Sequence, residues 1–380
     1  MRVAVYTDQA YWRDDESVWT ARAFILFVGA LRRSLDSVTV FGRLDPKPER
    51  SHYRLPEGLD FVPLPHYEDA SNPLAVARAA AGSLSAFWRA LRDVDAVWIL
   101  GPYPLSIAFA LLAALRRKRV VLGVRQDMPQ YVRSRHPSRR SLQLFASALE
   151  HAYRLLGRRF PVVVVGPDLA HRYRRSNRLL EISASLVRDE DIASPAALDR
   201  SYDGELQVLT VSRLDAEKNP LLLVDVLARL LEGDGRWRLM VCGDGPLEEA
   251  LARRIDEAGL SEAAELRGHV PFDGGLLELY RESHVFLHVS WTEGLPQVLF
   301  EAFASRLPVV ATAVGGVADA ADGAALLIPP GDADAAVEAL VRLRGDAGLR
   351  ERLVAAGVER ARLRTIEAES RRVAEFIEER

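Results

Sequence analysis

The chain has 380 residues, enough for two domains, and its 49% hydrophobic and 27% charged content is that of an ordinary globular protein. A net charge of −3 gives no overall pull toward nucleic acid, and the single cysteine, Cys242, excludes an internal disulfide and any multi-cysteine metal centre. No signal-peptide pattern precedes the first strand-like residues, and the longest apolar run, Pro104 to Leu115, is too short to span a membrane, so a cytoplasmic protein is the expectation.

In the first half, strand-like runs at 3–6, 38–41, 59–62, 96–100, 120–122 and 162–165 alternate with helical patterns at about 18–35, 73–92, 105–115 and 141–156. Periodicity lapses over 188–204. This predicts a first domain over 1–194, a linker over 195–205 and a second domain over 206–363. The second half repeats the alternation. Its strands fall at 206–211, 237–241, 264–266, 285–289, 308–311 and 325–328, and its helices at 220–231, 247–258, 274–282, 296–304 and 333–343. Helical patterns at 349–363 and 366–379 close the chain. The last is amphipathic through Val373, Phe376 and Ile377 and suits either domain. Apolar strands alternating with helices predict an α/β protein with two tandem Rossmann-like, doubly wound parallel sheets facing a central cleft. Ligands of such sheets bind beyond the carboxyl ends of the strands.

Candidate chemistry gathers in loops after the strands of the second half. Ser290 to Glu301 reads Ser-Trp-Thr-Glu-Gly-Leu-Pro-Gln-Val-Leu-Phe-Glu. Gly294 permits a tight turn, Pro296 suits a first helical residue, and the amides beyond it favour an anion. Glu293 stands before the turn. Glu301 lies in an apolar helix, where a buried carboxylate needs hydrogen-bond donors such as a pair of sugar hydroxyls. The plainer alternative, on spacing alone, is two solvated carboxylates. Arg213 and Lys218 precede another helix and suit a diphosphate, or are solvated loop cations. Gly243-Asp244-Gly245 imitates a dinucleotide fingerprint, but Glu248 replaces its third glycine, and Gly243 itself is read as a tight strand-to-helix turn. Gly268 before His269-Val270-Pro271, and the Gly315-Gly316 pair, are turn glycines or places where main chain approaches a ligand.

Taken together, Arg213…Lys218, Gly243-Asp244-Gly245-Pro246, Arg267-Gly268-His269-Val270, Glu293-Gly294…Glu301 and Gly315-Gly316 resemble the family-4 type of retaining glycosyltransferase with the GT-B fold. The match runs from about residue 206 to 343; the first half is similar only in general plan. The resemblance implies a nucleotide-diphosphate-sugar donor held by the second domain. Arg213 and Lys218 would hold its diphosphate and Glu301 its ribose. Glu293 and the main chain of Gly294, Leu295, Pro296 and Gln297 would surround its sugar. The Val270 main chain would meet the base, with Gly245 beside the nucleotide. The final helix, 364–380 with its lead-in, would return to the first domain. Cations and helix amides would stabilise the leaving diphosphate, so no metal and no other cofactor is expected. Asp93-Val94-Asp95, Asp189-Glu190-Asp191 and Asp332-Ala333-Asp334 imitate a metal-binding Asp-x-Asp but are read as solvated or capping carboxylates.

The first half departs from the family pattern. The loop Thr7 to Arg13 has no glycine, and 123–129 carries no histidine, so Arg125 or Asp127 is expected near the reacting carbon. Tyr11, Trp12 and Trp19 would stack on a sugar or serve as packing aromatics. Residues 111–180 hold sixteen Lys or Arg against three acids. Such a segment suits the anionic inner face of a membrane, a phosphate-bearing acceptor, or plain solvation. The expected partners are the donor and a saccharide, lipid-linked or small-molecule acceptor, with no nucleic acid. The rival readings are an inactive scaffold that keeps the fold and an NAD(P)-dependent oxidoreductase.

Overall fold

The computed structural model describes residues 1–14, 17–47, 51–66, 73–136, 138–183, 185–194 and 200–379. The chain divides into two compact units, Met1–Leu186 with the segment from Ile366 onward, and Val187–Thr365.

The first unit holds strands β1 (Arg2–Arg13), β2 (Val18–Thr20), β3 (Ser37–Leu44), β4 (Tyr53–Arg54), β5 (Leu59–Pro65), β6 (Ala96–Gly101), β7 (Arg119–Val124), β8 (Val162–Val165) and β9 (Leu179–Ile182). Its helices are α1 (Phe24–Ala30), α2 (Pro73–Ala90), α3 (Pro104–Leu115), α4 (Met128–Arg135), α5 (Arg140–Gly157) and α6 (Pro167–Arg172). Parallel pairing runs β5-β3-β1-β6-β7-β8-β9. The middle strands are apolar on both faces because helices cover both. Residues 18–35 do not form the single helix expected. Val18, Trp19 and Thr20, β-branched or aromatic, pair antiparallel with Tyr11–Arg13, and α1 starts only at Phe24. Strand β9 and helices α4 and α6 were too short to register as periodic segments.

The last helix, α14 (Ile366–Glu378), belongs to this unit. It buries Val373, Phe376 and Ile377. Its Glu369 accepts from the Ser183 amide at 3.1 Å and from Arg372 at 2.6 Å, while Arg119 donates to the Ile377 carbonyl at 2.8 Å.

The second unit holds β10 (Leu206–Val211), β11 (Trp237–Cys242), β12 (Ala264–Gly268), β13 (Val285–His288), β14 (Val309–Thr312) and β15 (Ala325–Ile328), all parallel, in the order β12-β11-β10-β13-β14-β15. Helices α7 (Leu222–Gly233), α8 (Glu248–Glu257), α9 (Leu277–Glu282), α10 (Gln297–Ala304), α11 (Val317–Ala321), α12 (Ala333–Gly345) and α13 (Ala347–Arg362) flank it. One core lies under α7 and α12, around Leu227, Trp237 and Leu340; the other lies under α9 and α10, around Tyr280, Phe286 and Phe300. Two doubly wound parallel sheets, expected from the alternation, are therefore present.

Of the expected linker, residues 195–199 lie outside the described residues. What precedes and follows them is fastened to the second unit. Val187 is buried in its core, and the Ala193 amide donates to the Ala304 carbonyl at 2.8 Å. Arg200 donates to the carbonyls of Tyr280, Arg281, Ser305 and Arg306, at the carboxyl ends of α9 and α10. Helix ends leave such carbonyls unpaired, and a guanidinium satisfies several at once. The unit boundary at Leu186/Val187, rather than residue 194, follows from these anchors.

Candidate functional site

The loops singled out by sequence meet along the carboxyl edge of the second sheet, joined by their own backbone. The Gly243 amide donates to the Gly268 carbonyl at 2.7 Å, and Ser212 to Cys242 at 3.0 Å. Leu214 donates to Asp244 at 2.7 Å, Trp291 to Glu217 at 2.8 Å, and Gly316 to Gly294 at 3.0 Å. Five loops thus form one continuous band where an open parallel sheet binds ligands.

Two glycines make this contact possible. Gly243 has φ +140°, and a Cβ there would stand 1.8 Å from the Ser212 carbonyl oxygen. Gly315 has φ +48°, and a Cβ there would stand 1.8 Å from the Glu293 oxygen. Gly294 bends the chain as expected. It needs no positive φ, and no atom lies within 4 Å of where its Cβ would be. Its missing side chain leaves open space before α10. Pro296 is the cap of that helix rather than its first residue, and no side chain caps the amides behind it.

Glu293 is 7% exposed. Its Oε1 accepts from Lys218 Nζ at 2.6 Å and Ser290 Oγ at 2.7 Å. His288 Nε2, itself buried, stands 2.9 Å from the same oxygen. Burial works to raise the Glu293 pKa, but His288 and Lys218 together outweigh it and hold the carboxyl at about 2. Glu293 is therefore an anion at neutral pH, and Lys218 is pinned by it.

Glu301 lies on α10 with 6% exposure. Tyr280 Oη donates to its Oε2 at 2.9 Å. Among the described residues no cation pairs with it, so burial pushes its pKa up to about 7, with Tyr280 opposing only in part. Two carboxylates eight residues apart are thus driven in opposite directions, a pattern found at functional sites.

Arg213 and Lys218, expected side by side on one ligand, have separate surroundings. Arg213 is 55% exposed and sits 2.8 Å from Asp215 and 3.6 Å from Glu217. Asp215 caps the turn Ala216–Lys218, and Asn219 follows at φ +53°. Gly245 turns at φ +152° against the Leu214 main chain, and Val270 packs at the edge of the α9–α10 core. Sequence reasoning missed His288, whose signal was a polar residue ending an apolar strand, and Tyr280, which no motif marks.

In the first unit, Asp127 is occupied differently from the expectation. It caps α4, accepting from the Gln130 amide at 3.1 Å, and pairs with Arg172 at 2.5 Å. Tyr11 is buried with its hydroxyl 2.8 Å from Thr7, Trp12 and Trp19 face each other across β1 and β2, and Trp19 donates to Asp14 at 3.0 Å. Tyr11 is thus a packing residue, and Trp12 and Trp19 form a half-buried cross-strand pair. Asp95 pairs with Arg2, Asp332 caps α12 and Asp334 pairs with Arg229. Among the described residues no group of three or more His, Cys, Asp or Glu is placed to hold a metal, and no helix is long and apolar enough to cross a membrane. Several cations of 111–180 have internal tasks: Arg116 stacks on Trp88, Lys118 bonds the Val94 carbonyl, and Arg119 and Arg178 hold α14. The outer faces of α3 and α5 expose Leu111, Leu115, Leu144, Phe145 and Leu155.

Residues 198–360 match the family of glycosyl transferases group 1. An exopolysaccharide phosphotransferase of Streptomyces coelicolor is 37% identical over 142 residues, 36% of this chain and 15% of that protein. Sulfoquinovosyl transferase SQD2 of Arabidopsis thaliana is 24% identical over 342 residues, 86% of this chain and 63% of that one. The chain thus spans less than two thirds of the length of either relative. Among solved structures, Anabaena HepE in complex with UDP matches with a TM-score of 0.73 at 16% identity, covering 99% of both chains. The fold is that of GT-B glycosyltransferases.

Proposed function

We propose that this protein is a retaining, metal-independent hexosyltransferase of the family-4 type, moving a sugar from a nucleotide-diphosphate-sugar to an acceptor. The observation that carries the reading is the Glu293–Lys218–His288 cluster beside the uncapped amides of α10, with Glu301 buried farther along the same helix. The similarity of 198–360 to group 1 transferases supports it. UDP is the first base to test, because the HepE structure holds it.

Breaking a sugar–phosphate bond leaves negative charge on the diphosphate and positive charge on the anomeric carbon. Lys218, Arg213 and the α10 amides meet the first; they stabilise the leaving group more in the transition state than before it. Glu293 holds Lys218 in place and, with the main chain of Gly294, Leu295, Pro296 and Gln297, borders the space open to the sugar. Glu301 accepts from the ribose hydroxyls. The Val270 main chain meets the base, near Gly245. Asp127, its carboxylate already used, positions the loop that carries Arg125.

The acceptor is a saccharide, a lipid-linked or a small molecule. The exposed leucines and Phe145 beside the arginines of 111–180 favour work at the anionic inner face of a membrane. A nicotinamide reading fares poorly: Glu248 stands where the fingerprint has its third glycine, and a Cβ on Gly243 or Gly245 would meet the Ser212 or Leu214 main chain, so loop packing accounts for both glycines. Transfer or hydrolysis of UDP-sugars by wild type and Lys218→Ala tests the proposal. Turnover that survives the substitution refutes the assigned role, and binding without turnover for any sugar nucleotide favours an inactive scaffold.

A further inference from the structure

Trp291 lies in the loop between β13 and α10 and is 51% exposed, whereas Trp98 and Trp237 are buried. It is nevertheless fixed in place. Its amide donates to the Glu217 carbonyl at 2.8 Å, and its six-membered ring rests on Gly331. A Cβ on Gly331 would stand 2.3 Å from Trp291 Cη2 and 2.9 Å from Cζ3. Gly331 has φ +77°, so glycine serves both the turn after β15 and the close approach of the indole. An indole held half in water keeps a large apolar face exposed and gains by being covered.

Gly331 is also one wall of a groove of about 460 Å³. Pro329 and Pro330, α7 through Asp225 and Arg229, and the start of α12 through Asp332 and Asp334 form the rest. Helix starts attract anions, but carboxylates already answer both of these. Asp332 Oδ1 accepts from the Ala335 amide at 2.9 Å, and Asp225 and Asp334 stand in the first turns of α7 and α12. The cations are paired as well: Arg254 with Asp225 Oδ1 at 2.7 Å, and Arg229 with Asp334 Oδ1 at 2.5 Å. Each carboxylate is engaged through Oδ1, and among the described residues its Oδ2 takes no donor. The groove therefore offers an aromatic edge, two prolines and three acceptor oxygens, and its acidic lining repels an anion. A pyranose ring fits that combination. The C–H bonds of one face cover the indole, and adjacent hydroxyls donate to the carboxylates.

We propose that Trp291 and this groove form a saccharide-binding subsite for neutral sugar units, distinct from the residues assigned to the donor. The bond from Trp291 to Glu217 ties it to the loop that carries Lys218. As a hold on an acceptor or product chain, the subsite rests on the transferase reading; as a saccharide site it stands without it.

The test is calorimetry with maltotriose, cellotriose and chitotriose, together with the fluorescence difference between wild type and Trp291→Phe. At least one trisaccharide should bind saturably and shift the Trp291 emission to the blue, with or without UDP. Trp291→Ala, its fold checked by circular dichroism, should weaken that binding by at least about tenfold. The exposed Asp334→Ala should weaken it by about threefold. Trigalacturonate should bind at least about tenfold more weakly than the neutral trisaccharide. No saturable binding of any neutral trisaccharide, or wild-type affinity in either alanine variant, would overturn the subsite. Equal or tighter binding of trigalacturonate would overturn the neutral assignment. Displacement of the trisaccharide by UDP would put the sugar among the donor residues, overturning the subsite and leaving the transferase reading intact. Saccharide binding in a chain that turns over no sugar nucleotide would keep the subsite and refute that reading.

Discussion

Replacing Glu301 by Gln should stabilise the protein in the absence of ligand, and do so more at high pH. The carboxyl is buried and, among the described residues, its side-chain partner is Tyr280, so its folded pKa stands at about 7 against an ordinary 4.5. The folded state therefore holds the proton more tightly than the unfolded one. Stability is lost as pH rises from about 4.5 to 7, because ionising the buried group costs more than ionising it in water. At pH 8 the cost approaches about 3 kcal/mol, and at pH 5 it is under about 1 kcal/mol. Glutamine keeps an acceptor for Tyr280 and removes the charge. Denaturant unfolding at pH 5 and pH 8 measures the difference. Glu301→Gln should exceed wild type by about 2 kcal/mol more at pH 8 than at pH 5, and melt about 5–8 °C higher there. The same variant should bind nucleotide more weakly, since the ribose loses a charged acceptor. An equal stability difference at both pH values, or a less stable variant at pH 8, would refute the argument.

Glu293 behaves oppositely. Its pKa of about 2 makes a stabilising contribution that is full above about pH 4.5 and lost as pH falls toward 2. Acid unfolding of Glu293→Gln should therefore show a flatter profile across that window, checked by fluorescence. Lys218→Ala strands a buried anion and should cost about 3 kcal/mol in urea unfolding. Gly315→Ala meets the Glu293 carbonyl and should destabilise by more than about 2 kcal/mol, whereas Gly294→Ala should change stability by under about 1 kcal/mol and raise the donor KM by filling open space. Arg200→Ala frees carbonyls at two helix ends and should cost about 2 kcal/mol by thermal melting.

The second unit was the more legible half. Its strands are short apolar runs with helices between them, and period and punctuation agree from 206 to 343. The loops at its strand ends could be named because Gly, Pro, Glu and Arg mark turns and charges. What sequence could not show was which partner each charge takes. Lys218 and Glu293 are 75 residues apart and meet only through sheet order, and Tyr280 reaches Glu301 only because α9 packs on α10. The first unit was harder because local signals compete there. Residues 18–35 carry a helical pattern, yet Val18–Thr20 pair with the end of β1, a tertiary contact that overrides propensity. Asp127 looked like chemistry and is a cap, since an Asp before Met-Pro serves a helix start equally well.

The most direct measurement is a thermal-shift panel of UDP, GDP, ADP, dTDP, NAD and NADP on wild type and Lys218→Ala. A ligand that binds only the folded state raises the melting temperature. The account predicts that one nucleoside diphosphate, UDP first, stabilises the wild type and that the shift is lost in Lys218→Ala. Stabilisation by a nicotinamide dinucleotide alone, or a nucleoside diphosphate shift indifferent to Lys218, would contradict it.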